Sequence, residues 1–245
     1  DFIELLPDPD PEFDEIIEID LTQVEPMAAL PGSPGNAVPV REAGDVEVRQ
    51  VLIGSCTNSS YRDLMMAARV LEGRTVHPQV SLSIMPGSRQ ALTMIAENGA
   101  LATLVKAGAR LLEASCAGCI GMGGSPATGI NSVRTFNRNF PGRSGTKEDS
   151  VFLCSPETAT ASALAGRITD PRDLGMAYPR IEPPERAEEG STASTATFRP
   201  CPVSIRPKLS IKVDLPTPGV PERPIRRASR PAPRTASRSA VACAR

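Results

Sequence analysis

Tryptophan is missing from this 245-residue chain, histidine occurs once (His77), and there are only two tyrosines and six phenylalanines. A core must therefore rely on Val, Leu, Ile, Ala and Met. Recognition of bases by stacked aromatic side chains has little to work with, which speaks against an RNA-binding module. No apolar run approaches the roughly 18 residues needed to span a bilayer. The opening Asp1-Phe2-Ile3-Glu4 has neither the basic region nor the apolar stretch of a signal peptide, so a cytoplasmic location and no membrane partner are the default expectations. A first residue other than Met fits a chain that starts within a longer protein or after processing. The six cysteines are too sparse for a small disulfide scaffold.

Charge of one sign is scarce at each end. Residues 1–47 carry 13 acidic side chains and one basic one, Arg41, whereas residues 201–245 carry 10 basic and 2 acidic ones. The near-zero net charge hides this split. Residues 1–47 read as an acidic lead-in and linker, with one strand over Ile16–Leu21 and a turn-rich crossing over Pro31–Asn36. Residues 188–199 are rich in Ser, Thr and Ala, and residues 201–245 hold eight prolines with no sustained periodicity. Such a composition cannot bury enough apolar surface to offset ordering entropy, so the tail is expected to be disordered or foreign to the fold.

Residues 48–187 have the character of a folded α/β domain. Val48–Ile53 is a short apolar run suited to a buried strand. Leu64, Met65, Ala68 and Leu71 recur at helical spacing between Tyr61 and Leu71. Gln79–Met85 alternates like a strand, Arg89–Asn98 and Leu101–Ala107 read as helices, and Arg110–Ala114 as another strand. Val151–Cys154 and Pro156–Ala165 add a strand and a helix that begins with Pro and is followed by Gly166. This β-α-β-α-β rhythm predicts a parallel sheet with right-handed crossovers. Cys56 and the pair Cys116 and Cys119 each follow a predicted strand. Ligands of parallel sheets gather at the carboxyl ends of strands, where these distant cysteines would meet.

A Cys-x-x-Cys places two thiolates on one tight loop, and Cys56 offers a third from an equivalent loop. Thiolates suit zinc and iron–sulfur clusters. Spacing alone leaves an iron–sulfur cluster, a structural zinc site, a redox dithiol and chance all open. His77 could complete a zinc site, though a lone loop histidine is more often merely solvated.

The words around the cysteines narrow these options. Ile53-Gly54-Ser55-Cys56-Thr57-Asn58-Ser59 and Cys116-Ala117-Gly118-Cys119-Ile120-Gly121-Met122 resemble the two cluster loops of the aconitase superfamily. Phe136-Asn137-Arg138-Asn139-Phe140-Pro141-Gly142-Arg143 resembles its substrate segment, and Cys154-Ser155-Pro156-Glu157-Thr158 the helix start that follows. The resemblance covers roughly residues 15–186. It implies a three-layer parallel-sheet domain of aconitase type and a 4Fe-4S cluster held by Cys56, Cys116 and Cys119. It also implies a position beside the cluster for Asn137 and carboxylate contacts for Arg138 and Arg143. A guanidinium fork suits bidentate binding of carboxylate, which agrees. Asn58 and Ser88 are implied supports of the cluster loop, and Cys154, with no counterpart among the ligands, reads as a buried apolar thiol.

The implied reaction is dehydration followed by rehydration of a small di- or tricarboxylate. The segment Arg134–Asn137 and the segment Gly142–Thr146 look closest to aconitate hydratase, which interconverts citrate and isocitrate in the tricarboxylic acid cycle. Isopropylmalate and homoaconitate dehydratase large subunits are the alternatives. The family's His/Asp acid–base residues and the serine of its swivelling domain have no match in this chain. The chain alone is therefore expected to be inactive, with a swivel domain missing in cis or in trans. A shift of reading frame near residue 187 would explain the abrupt change of composition there.

Overall fold

The computed structural model describes residues 17–184 and, as backbone only, residues 209–211. The expectations for residues 1–16, and for residues 188–245 apart from one short strand, lie outside the described residues. That strand, Leu209–Ile211, pairs antiparallel with β1 (Ile17–Ile19), Glu18 lying opposite Ser210. These two strands belong to a unit of their own, separate from the larger one that begins at Thr22.

The larger unit runs β2 (Met27–Ala29), β3 (Ala37–Pro39), β4 (Gln50–Gly54), α1 (Tyr61–Leu71), β5 (Ser81–Met85), α2 (Arg89–Glu97), α3 (Ala100–Lys106) and β6 (Arg110–Leu111). It continues through β7 (Asn131–Arg134), β8 (Ser150–Cys154) and α4 (Pro156–Ala165). The seven strands form one sheet in the order β3-β2-β8-β7-β4-β5-β6. Strands β4 to β8 are mutually parallel, and β2 and β3 extend the β8 edge in antiparallel fashion. The chain leaves β4 towards β5 on one side and returns to pair β7 on the other. The carboxyl ends of β4 and β7 are therefore a topological switch point, where open α/β sheets bind ligands.

Successive strand side chains point to opposite faces, and the core divides accordingly. Val51, Ile53, Leu82, Ile84, Val133 and Phe152 pack with Leu64, Ala68, Ile95, Leu104 and Ala159 of the helices. Leu52, Met85, Val151 and Leu153 face the other way and pack with Cys119 and Phe136. One face is thus covered by helices and the other by the cysteine-bearing loops. Burying each Leu or Ile of this kind contributes about 1.5–3 kcal/mol.

The helices start where sequence chemistry dictates. Ser60 and Asp63 form a reciprocal capping box at α1, with Ser60 Oγ accepting from Asp63 N at 3.3 Å and Ser60 N donating to Asp63 Oδ2 at 3.0 Å. Ser155 caps α4 ahead of Pro156, and Gly166 ends it in the left-handed region. No helix among the described residues is long and apolar enough to cross a membrane.

Three differences from the sequence expectation bear on the site. The strand expected over 110–114 ends at Leu111, because β6 lies at the sheet edge with one neighbour to hold it. Two segments within the acidic lead-in form β2 and β3, and the Pro31–Asn36 turn connects them. Strand β7 was not foreseen: its sequence, Asn-Ser-Val-Arg, has one apolar residue, yet it sits between β8 and β4.

Candidate metal centre

The first loop leaves β4 at Gly54, whose φ is +136°. A Cβ there would lie 1.9 Å from the Met85 carbonyl oxygen, so only glycine lets β4 and β5 come together at this point. Ser55 follows at φ +66°, a conformation uncommon for a residue with a side chain. It is buried, and its carbonyl accepts a hydrogen bond from Ser59 Oγ. Cys56 is thereby presented at the surface as an exposed free thiol. Asn58 Nδ2 donates to the Thr135 carbonyl at 2.7 Å, and Gly54 N donates to Thr135 Oγ1 at 2.9 Å. The loop is tied to the end of β7 by both.

The second loop follows β6. Cys116 precedes a 3-10 turn over Ala117–Ile120, and Cys119 N donates back to the Cys116 carbonyl at 3.1 Å. Cys116 is exposed, whereas Cys119 is buried on the loop-covered face of the sheet. Burial pushes the Cys119 thiol up, and the Arg143 guanidinium opposes this. Cys116, which hydrogen-bonds Cys119, and Cys56 both add to the upward shift. Cys119 therefore lies within electrostatic reach of both Cys116 and Cys56.

Among the described residues, no group of three or more His, Cys, Asp or Glu side chains is gathered to hold a metal ion. A single zinc about 2.3 Å from each sulfur demands tightly converging ligands. A cluster of several irons spreads its thiolates further apart, and three thiolates without histidine or carboxylate are the donors it takes. The donor set, three thiols with no histidine or carboxylate beside them, is of the kind a cluster takes. His77 does not contribute. Its backbone N donates to the Ala163 carbonyl at 3.0 Å, its Nδ1 accepts from Gln79 N at 3.3 Å, and its ring lies against Gly166 at the end of α4.

The third segment follows β7. Phe136 and Asn139 are buried, and Asn139 Nδ2 donates to the carbonyls of Leu30 (2.8 Å) and Val151 (3.1 Å). Anchored on both sides, the segment turns Asn137 and Arg138 out to solvent. Neither makes a hydrogen bond or ion pair among the described residues. Arg143 returns to the second loop, donating from Nη1 to the Cys119 carbonyl at 3.0 Å and from Nη2 to Cys119 Sγ at 3.3 Å. Ser88 caps α2 by accepting from Ala91 N at 3.0 Å. Cys154 is half-buried, and burial, with a contribution from Glu157, pushes its thiol up.

Sequence reasoning missed Arg134 and Thr135. Arg134 is 0% exposed within β7. Its Nη1 donates to the Gly118 carbonyl at 3.2 Å and its Nη2 to the Gly124 carbonyl. Burial pulls its guanidinium down to about 10, while Cys119 and Asp149 act in the opposite direction, so it remains charged at neutral pH. A charged residue in a short polar segment carries no signal that it is a core residue. The word Arg134–Asn137 marked the place without the role.

Comparison with known proteins accords with this geometry. Residues 40–166 match the aconitase family (aconitate hydratase). The chain belongs to the aconitase family. It is 47% identical over 167 residues to the 3-isopropylmalate dehydratase large subunit 1 of Methanopyrus kandleri, covering 68% of this chain and 40% of that protein. The 3-isopropylmalate dehydratase large subunits of Moorella thermoacetica and Heliobacterium modesticaldum are 42% and 43% identical over 168 residues, with the same coverage. The chain thus spans about 40% of the length of these relatives. These relatives are named for isopropylmalate, not for the citrate and isocitrate of the tricarboxylic acid cycle.

Proposed function

We propose that this chain is the cluster-bearing part of an iron–sulfur hydro-lyase of the 3-isopropylmalate dehydratase type. The observation that carries the reading is the placement of Cys56, Cys116 and Cys119 within the residues that match the aconitase family, with Arg143 bound to Cys119. Relatives named as large subunits support the substrate class and a partner subunit in trans.

In this reading Cys56, Cys116 and Cys119 hold a 4Fe-4S cluster. Bound by three thiolates, such a cluster supplies a Lewis-acidic iron with an open position for a hydroxyl and a carboxylate. The chain's own groups supply the rest of this half-site. Arg138, exposed and without a partner among the described residues, offers a planar fork to a substrate carboxylate. Asn137 lies beside it as a neutral hydrogen-bonding side chain. Arg143 is already engaged by Cys119, so its first task is to place a positive charge against that sulfur. A carboxylate contact requires it to share its donors or to swing. The proton-transfer groups come from segments that this chain does not match.

Anaerobic reconstitution with iron and sulfide tests the reading. A brown chain with broad visible absorbance is expected, and Cys116→Ser and Cys119→Ser lose it. Adding the small subunit and the remaining large-subunit domains of a relative should give dehydration of isopropylmalate in preference to citrate. A colourless chain holding zinc refutes the cluster, and a preference for citrate refutes the substrate.

A further inference from the structure

We infer that Arg134 is a positioning residue for the cluster, holding the second cysteine loop from beneath and fixing a positive charge behind Cys119. The inference rests on the cluster reading above and extends it to the last residue of β7.

Four observations converge. Arg134 is fully buried on the face of β7 opposite the helices, beside Leu52 of β4, its register partner. An apolar side chain would ordinarily occupy such a place, because a buried charge is costly unless compensated. Second, its guanidinium donates to the Gly118 and Gly124 carbonyls, one before and one after Cys119 in the loop. One planar group thereby closes a loop of irregular backbone. Third, its plane is fixed independently. Arg134 Nε donates to Ser132 Oγ at 3.0 Å, Nη2 donates to Gln50 Oε1 at 3.1 Å, and Cζ lies 5.5 Å from the Phe136 ring centroid. Gln50 is held in turn by Ser132 Oγ at 2.8 Å.

Fourth, every hydrogen-bond acceptor of Arg134 is neutral. No carboxylate pairs with it among the described residues, and Asp149 acts on it only through space. The Cys119 sulfur, anionic once it ligates metal, is the other acidic neighbour. Three thiolates around an iron–sulfur core bring net negative charge to this side of the sheet, which a buried guanidinium complements. Arg143 approaches Cys119 from the sulfur side, and Arg134 lies behind its backbone.

The test compares the wild-type chain with R134K and R134Q after anaerobic reconstitution. R134K keeps the charge and loses the fork; R134Q loses both. Retention of iron and sulfide during dilution should fall about tenfold or more in both variants, as for other partners of metal-ligating residues. The midpoint potential of the retained cluster should fall in R134Q and stay near the wild-type value in R134K. Removing a nearby cation makes adding an electron harder. Equal potentials in the two variants overturn the inference, because a merely structural role changes retention alone. Where R134Q retains too little cluster for a potential, amide exchange of the cluster-free chains decides. Acceleration confined to residues 116–124 supports the clamp, and uniform loss of protection overturns it. A wild-type chain that takes up no cluster refutes the cluster reading itself. A variant that loads and titrates like wild type refutes only the role of Arg134.

Discussion

Two glycines in the second loop offer a matched pair for testing whether that loop rests on the backbone that follows Arg143. Gly121 and Gly123 have φ values of +96° and +77°. An alanine at either position pays a left-handed penalty of about 1–2 kcal/mol. Reduced freedom of the unfolded chain offsets about 0.5 kcal/mol of that. A Cβ at Gly123 meets nothing within 4 Å, so Gly123→Ala should cost about 1 kcal/mol in all. A Cβ at Gly121 would lie 2.4 Å from the Ser144 carbonyl oxygen and 3.0 Å from Gly145 Cα. Both obstacles are backbone, so the clash adds a further overpacking cost of about 1–3 kcal/mol. Gly121→Ala should therefore cost about 2–4 kcal/mol. At about 2–4 °C per kcal/mol for a domain of this size, Gly123→Ala lowers the melting temperature by about 2–4 °C and Gly121→Ala by about twice that or more. Thermal unfolding of the cluster-free chains followed by circular dichroism measures the difference. Indistinguishable melting temperatures would refute the close approach of the loop to Ser144, and with it the approach of Arg143 to Cys119.

Two further outcomes follow from the structure. Asp170 is buried, accepts from Arg172 Nη2 at 2.6 Å and Arg41 Nε at 3.0 Å, and its carboxyl is held below the usual range chiefly by the Arg172 hydrogen bond. A depressed carboxyl contributes stability above its unfolded value of about 3.9 and loses it as pH falls through the folded value. Asp170→Asn should thus destabilise by about 2 kcal/mol at pH 7 and by progressively less below about pH 4, read from paired melts across that range; a constant difference down to pH 2 would sink the assignment. In the cluster-free chain, alkylation followed by peptide mass mapping should label exposed Cys56 and Cys116 well before buried Cys119. Loading should protect all three together, whereas protection of Cys116 and Cys119 with Cys56 still reactive would point to a dithiol site.

The periodic parts of the fold were legible in the sequence. The bounds of α1 and α4 agree with the expected ones because Ser60, Ser155 and Gly166 carry local capping chemistry that tertiary contacts do not override. The cysteine loops were legible because small residues, backbone-turn glycines and thiols recur there as recognisable words. Strand β7 was not legible, because Ser132 and Arg134 are buried by hydrogen bonds to Gln50 and to the loop carbonyls. Alternation of polarity cannot report burial of that kind. Asn139 was missed for the same reason: its side chain is a buried bracket between Leu30 and Val151.

These omissions share one consequence for how the site is built. The motif words name the groups proposed to meet a cluster or a carboxylate, yet none of those groups fixes the distance between the loops. That distance is set at the end of β7, by two adjacent residues of opposite facing. Arg134 reaches the loop of Cys116 and Cys119, and Thr135 binds Gly54 and Asn58 on either side of Cys56. The parallel register of Leu52 against Arg134 places both attachments at the end of β4. A slip of one residue would exchange Arg134 with Val133, burying an unpaired cation among the helices and taking one donor from each of the Gly118 and Gly124 carbonyls. Register at β7 and geometry at the cysteines are therefore one constraint, and the polar residues that make the strand hard to read are the ones that impose it.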